Sequence, residues 1–187
     1  MPETAPRLSR RDLNRLLFPA EERPSMKTWA LLDCAQDEDI YGAILQSSNE
    51  RDCLFAGHLA PELEVAAPHL VCLDVDDRLT HFLLEHGWGQ AWGIYLRSDS
   101  PGSALRRHLR TFLRVTGPGG APMLFRYYDP RVLALYLPTC HPNELNTVFG
   151  GVVHTFLCEA RQGQSLLSFR REDQKLGQVE YPVPGNG

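Results

Sequence analysis

Two arginines, an aspartate and three tyrosines crowd into the fifteen residues LFRYYDPRVLALYLP, from Leu124 to Pro138. Guanidinium groups beside a carboxylate can bind an anion, or they can satisfy one another through paired hydrogen bonds. The local spacing describes a strand-to-helix corner. Asp129 stands where it caps a helix, and Pro130 takes the first helical position, where a missing amide costs nothing. Val132, Leu133, Leu135 and Tyr136 then carry the helix into a core, while Arg126 and Arg131 flank the aspartate. The carboxyl end of a strand is also where open α/β sheets place ligands. The same residues therefore allow a small hydrolase or transferase centred on Asp129.

Other residues capable of chemistry are scattered. His81 and His86 are five apart, about 140° around an ideal helix, and Cys140 with His141 has no second pair at zinc-finger spacing, so no metal site is expected. A cysteine–histidine nucleophile would need a tertiary contact that spacing does not reveal. The chain has no Gly-x-Ser-x-Gly elbow, no phosphate loop and no Gly-x-Gly-x-x-Gly fingerprint, and no cofactor is expected. GPGG, residues 117–120, precedes a strand instead of opening a helix and reads as a turn.

Two groups suit contact with another protein. Arg106, Arg107, Arg110 and Arg114 lie opposite the leucines of a helix expected over residues 103–115, either a solvated face or a docking stripe for an acidic surface. Trp88 and Trp92 flank a glycine-containing turn, as core anchors or as partner contacts.

The elements that must position these groups alternate. TWALLDC and HLVCLDV read as buried strands, each followed by acids at a helix start, Asp37 to Asp39 and then Asp76 with Asp77. QAWGIYLRS is a third strand followed by the arginine helix, and MLFRYYD a fourth leading into the Asp-Pro corner. Strands alternating with helices predict an α/β fold whose sheet is mainly parallel and flanked by helices, with a C-terminal β-hairpin added. The expected organisation is an N-terminal extension over residues 1–27 with a short helix capped near Ser9, an α/β domain over 28–150, a hairpin over 151–175 and a mobile tail over 176–187.

Composition narrows the partners. With 43% hydrophobic and 22% charged residues among 187, the chain matches ordinary globular proteins. A net charge of −4 supplies no global field for phosphate backbones, so nucleic acid is not an expected partner. No run approaches the roughly 18 apolar residues of a membrane helix, and LNRLLF is too short for a signal-peptide core. Cys34, Cys53, Cys72, Cys140 and Cys158 form no Cys-x-x-Cys pair, which suits a reduced, cytoplasmic protein.

Several segments together resemble a known family. WALLDCAQDEDIYGAI, LFAGHLAPELEVAAPHLVCLD, WGQAWGIYLRS, LRRHLRTFLRV and above all FRYYDPRVLALYLP follow, in order, the pattern of the adaptor-chaperones of bacterial type VI secretion, catalogued as a domain of unknown function. The resemblance spans residues 28 to about 150, with Arg126, Tyr128, Asp129, Pro130 and Arg131 as its signature. It implies a cytoplasmic, non-enzymatic protein that binds a cognate toxic effector and helps load it onto the secretion spike, a VgrG trimer or its PAAR-type tip. An immunity protein that neutralises a toxin would share this binding chemistry.

Overall fold

The run TWALLD, apolar from Trp29 to Leu32, forms strand β1 (Lys27–Asp33), and it lies inside the sheet with a neighbour on either side. The computed structural model describes residues 10–20 and 23–183. Its seven-stranded sheet has the order β2-β3-β1-β4-β7-β8-β9. The remaining strands of that sheet are β2 (Arg51–Cys53), β3 (Pro68–Leu73), β4 (Gly93–Ser98), β7 (Thr155–Ala160), β8 (Ser165–Glu172) and β9 (Lys175–Pro182). A separate ribbon pairs β5 (Arg114–Thr116) with β6 (Pro122–Leu124).

Both faces of the sheet are covered. Trp29 and Leu31 of β1 join one core with Leu105 and Leu109 of α5 (Gly102–Arg110), Leu133 of α6 (Pro130–Tyr136) and Leu145 of α7 (Pro142–Phe149). The alternate residues Ala30 and Leu32 join a second core with Leu13 and Leu17 of α1 (Arg10–Leu17), Ile40 and Ile44 of α2 (Glu38–Gln46) and Leu79 of α4 (Arg78–Phe82). Asp37 caps α2 by accepting the Asp39 amide at 2.9 Å. The short α3 (Pro61–Ala66) buries no side chain. Thr28 Oγ1 donates to the Leu17 carbonyl at 2.6 Å, fastening the end of α1 to the start of β1. The capping residue expected for α1, Ser9, lies outside the described residues.

The expected mainly parallel sheet is overturned, because every neighbouring pair in this sheet is antiparallel. The alternation of strands and helices is real: β3 and β4 run in the same direction and α4 joins them. But β1 lies between them, antiparallel to both, so the unit is a split βαβ and not an adjacent parallel pair. Continuous apolar strands usually mark parallel sheets because helices cover both faces. Here helices cover both faces of an antiparallel sheet and produce the same pattern.

Three local expectations also shift. Of MLFRYYD only Met123 and Leu124 fall in a strand, β6, and that strand belongs to the ribbon whose turn is GPGG. The β7–β8 hairpin joins the main sheet through β4, and most of the stretch expected as mobile tail from residue 176 onward belongs to its edge strand β9 (Lys175–Pro182). The arginine helix ends at Arg110, which leaves Arg114 on β5. Among the described residues no helix is long and apolar enough to cross a membrane.

Gly93 of β4 stands opposite Leu32 of β1. A Cβ there would lie 2.9 Å from the Leu32 Cα and closer still to the Leu31 carbonyl oxygen, both backbone atoms that cannot swing away. Gly93→Ala is expected to cost at least about 1–3 kcal/mol, read as a lower urea midpoint at unchanged slope.

Candidate functional site

The signature residues converge on the end of the sheet where β1 finishes. Asp33, the last residue of β1, is 2% exposed, and a buried carboxylate requires partners. Arg126, in the loop after β6, donates Nη2 to Asp33 Oδ2. Gln36 Nε2 donates to the same oxygen at 2.9 Å, and the Ala35 amide to Oδ1 at 3.3 Å. The Arg126 guanidinium carbon also lies 6.0 Å from the centre of the Tyr128 ring, which is buried. The hydrogen bond to Asp33 raises the Arg126 pKa further.

Asp129 is the helix cap that the spacing predicted. Oδ1 accepts the Arg131 amide at 2.9 Å and Arg131 Nε at 2.9 Å, while Oδ2 accepts Nη2 at 2.6 Å. Burial pushes this carboxyl up, and the Arg131 bonds outweigh it, so Asp129 stays below the usual carboxylate range. Pro130 is buried at the first position of α6. Tyr127 completes the corner: its hydroxyl donates to the Leu109 carbonyl at 2.7 Å, tying the end of α5 to the loop.

Asp33 and Glu159 were not singled out from the sequence. Glu159, on β7, accepts the Gly89 amide at 2.5 Å and the Ala91 amide at 2.7 Å, and so fixes the turn before β4, where Ala91 has φ 57°. Burial raises its pKa, with the two amides partly offsetting the rise. The Asp33 amide donates to the Trp92 carbonyl at 2.8 Å from the other side of that turn. The available signal for Asp33 was an acid closing an otherwise apolar strand. Glu159 offered a weaker form of the same clue, an acid inside the apolar run of β7.

The remaining candidates separate by role. Trp92 is buried, and Trp88 donates its indole N–H to the Gly163 carbonyl at 2.8 Å, so both tryptophans anchor the turn inward. Arg106 donates Nε to the Cys53 carbonyl at 2.7 Å, with the Asp52 carboxylate 3.1 Å away, and bridges α5 to β2. Arg107, Arg110 and Arg114 instead border a groove of about 870 Å³ lined also by Leu54, Phe55, Met123 and Leu124.

Two further contacts bear on chemistry. Cys34 Sγ lies 3.5 Å from His69 Nδ1, a cysteine–histidine contact that spacing did not reveal. That nitrogen also lies 2.9 Å from the Ala67 carbonyl, which can only accept, so Nδ1 carries the hydrogen and cannot take one from the thiol. Burial pushes Cys34 up to about 12 and His69 down, the behaviour of a core contact. The helix after α4 widens into a π turn (Leu83–Gly87), so His81 and His86 line one shallow surface depression despite the angle expected of an ideal helix. Among the described residues no three His, Cys, Asp or Glu side chains form a metal-binding group.

Two measurements test the corner. Arg126→Ala strips a charged hydrogen bond from buried Asp33 and is expected to cost about 1.5–3 kcal/mol, with a clearly smaller loss when Asp33→Asn is already present. Asp129 has a folded pKa below its unfolded one, so its contribution to stability is present above the ordinary carboxylate range and is lost as pH falls through the folded value. Melting temperatures followed downward from about pH 5 should therefore fall more steeply for the wild type than for Asp129→Asn.

The family described as a domain of unknown function, DUF4123, matches residues 28–147, from the second residue of β1 to within α7, and includes both Asp33 and the whole corner. No curated protein and no solved structure gives a significant match to the chain. With well over half of its length matched, and the polar corner inside the match, the chain belongs to the DUF4123 family.

Proposed function

We propose that this protein is a cytoplasmic adaptor that binds a cognate type VI secretion effector and helps load it onto the VgrG or PAAR-type spike, without catalysing a reaction. The observation that carries this reading is the DUF4123 match across the signature corner, joined to how the corner uses its side chains. Asp33 takes up Arg126, and Asp129 is engaged by the α6 cap and by Arg131. These groups fix a shape. Arg107, Arg110 and Arg114, together with exposed Met123 and Leu124, face outward at a groove suited to a protein partner.

The test is genetic and biochemical. Deleting the gene should abolish delivery of one effector while the secretion apparatus still fires, and that effector should co-purify with the tagged full-length chain. Normal delivery of every effector in the deletion strain would overturn the reading. Protection of cells from a toxin, with delivery unaffected, would assign the chain as an immunity protein instead. Asp129→Asn should lower the melting temperature and weaken capture only as far as folding is lost. A folded variant devoid of some measurable turnover would point to an enzyme.

A further inference from the structure

The groove beside α5 combines two features that rarely occur together on a solvated surface. Its floor is apolar, with Leu54 and Leu113 buried, and its wall carries Met123 at 51% and Leu124 at 48% exposure on the β5–β6 ribbon. Exposed apolar side chains gathered in one concavity mark an interaction site more strongly than the same residues spread singly.

The rim is cationic. Arg107, Arg110 and Arg114 line the groove and no acidic side chain does. None of the three makes an ion pair or side-chain hydrogen bond among the described residues, in contrast to Arg106, Arg126 and Arg131. Each retains a planar fork suited to a carboxylate. The whole chain is net negative, so this positive rim is a local feature that selects by contact rather than by long-range attraction. Arg107 and Arg110 are one helical turn apart on α5, which sets carboxylates along the rim at a spacing that a second helix can match.

We propose that this groove binds an amphipathic helix of the cargo protein, one whose apolar stripe is flanked by aspartate and glutamate. The stripe packs against Phe55, Met123 and Leu124, and the flanking carboxylates meet Arg107, Arg110 and Arg114. A single-stranded nucleic acid fits less well, because Phe55 is the one aromatic lining residue and stacking platforms carry several. The corner holds the groove in shape: the Phe125 amide donates to the Leu113 carbonyl at 2.9 Å, and Tyr127 ties the same loop to α5. The occupant's identity as cargo rests on the adaptor reading above.

The probe is a synthetic amphipathic peptide of about 18 residues, with leucines at helical spacing flanked by glutamates, long enough to form a helix when bound. It is titrated into the full-length chain and its contacts are mapped by methyl resonances. The peptide should perturb Leu54, Leu113, Met123 and Leu124, and Arg107→Glu with Arg110→Glu should weaken it by roughly tenfold or more. A lysine-for-glutamate peptide should bind the doubly substituted chain better than the wild type. Met123→Asp, on an exposed strand, should weaken the glutamate peptide with the melting temperature unchanged.

Equal binding by wild type and charge-reversed chain, perturbations away from the groove, or tighter binding of an oligonucleotide of equal charge would each overturn the proposal. The effector identified by co-purification separates the two readings. If it binds the charge-reversed chain as well as the wild type, the groove assignment falls and the adaptor reading stands. If the peptide seats in the groove while no effector depends on the chain for delivery, the adaptor reading and the cargo assignment fall together.

Discussion

A carboxylate buried at the end of an interior strand sets the terms for this end of the molecule. Asp33 closes β1, and β1 pairs with β3 on one side and β4 on the other. Leaving such a charge without partners costs several kcal/mol, so the chain must bring a cation and donors to it. Arg126 arrives from 93 residues further along the sequence, and Gln36 and Ala35 come from the adjacent turn. Because the ribbon, the corner and α6 are consecutive in sequence, anchoring Arg126 places all three. The Tyr127 hydroxyl then fixes α5 to the same loop. The polarity of the corner thus follows from one buried charge and from the need to cap one helix.

The order of elements was legible from periodicity and capping, while their direction was not. Trp29 and Leu31 face one layer of helices, and Ala30 and Leu32 the other, so β1 shows no polar face to reveal its antiparallel neighbours. A strand inserted between two others leaves no local trace either, since register is set by partners distant in sequence. β9 escaped for the opposite reason. It is an edge strand with mostly exposed side chains, and its composition resembles a solvated tail until β8 supplies eight paired residues. The π turn after α4 likewise changes which histidines share a face, and nothing in the spacing of His81 and His86 announces it.

The site divides along the same line between local and non-local physics. Asp129 and Pro130 were readable because a cap and a first-turn proline act within three residues of themselves. Asp33 and Glu159 were not, because each is defined by donors 93 and about 70 residues away. The arginine stripe was visible as a pattern, yet its four members do different things. Arg106 bridges α5 to β2 through Asp52 and the Cys53 carbonyl, whereas Arg107, Arg110 and Arg114 border the groove. That division depends on where β2 and the ribbon lie, and neither position follows from the helix alone.

On the adaptor reading, the groove and the corner serve opposite requirements. A carrier must hold its cargo firmly enough to collect it and loosely enough to surrender it. A groove of about 870 Å³ is the size of a pocket that takes a few side chains, so it engages a short segment of the cargo. Charge-assisted contacts at an exposed rim add selectivity and rate of encounter more than lasting affinity. Release then needs no unfolding of the carrier, because the loop behind the groove is tied down within the chain, by Tyr127 to the Leu109 carbonyl and by the Phe125 amide to the Leu113 carbonyl. On that reading the hydrogen-bonded corner supplies a fixed shape, and the exposed apolar groove beside it is left to exchange its occupant.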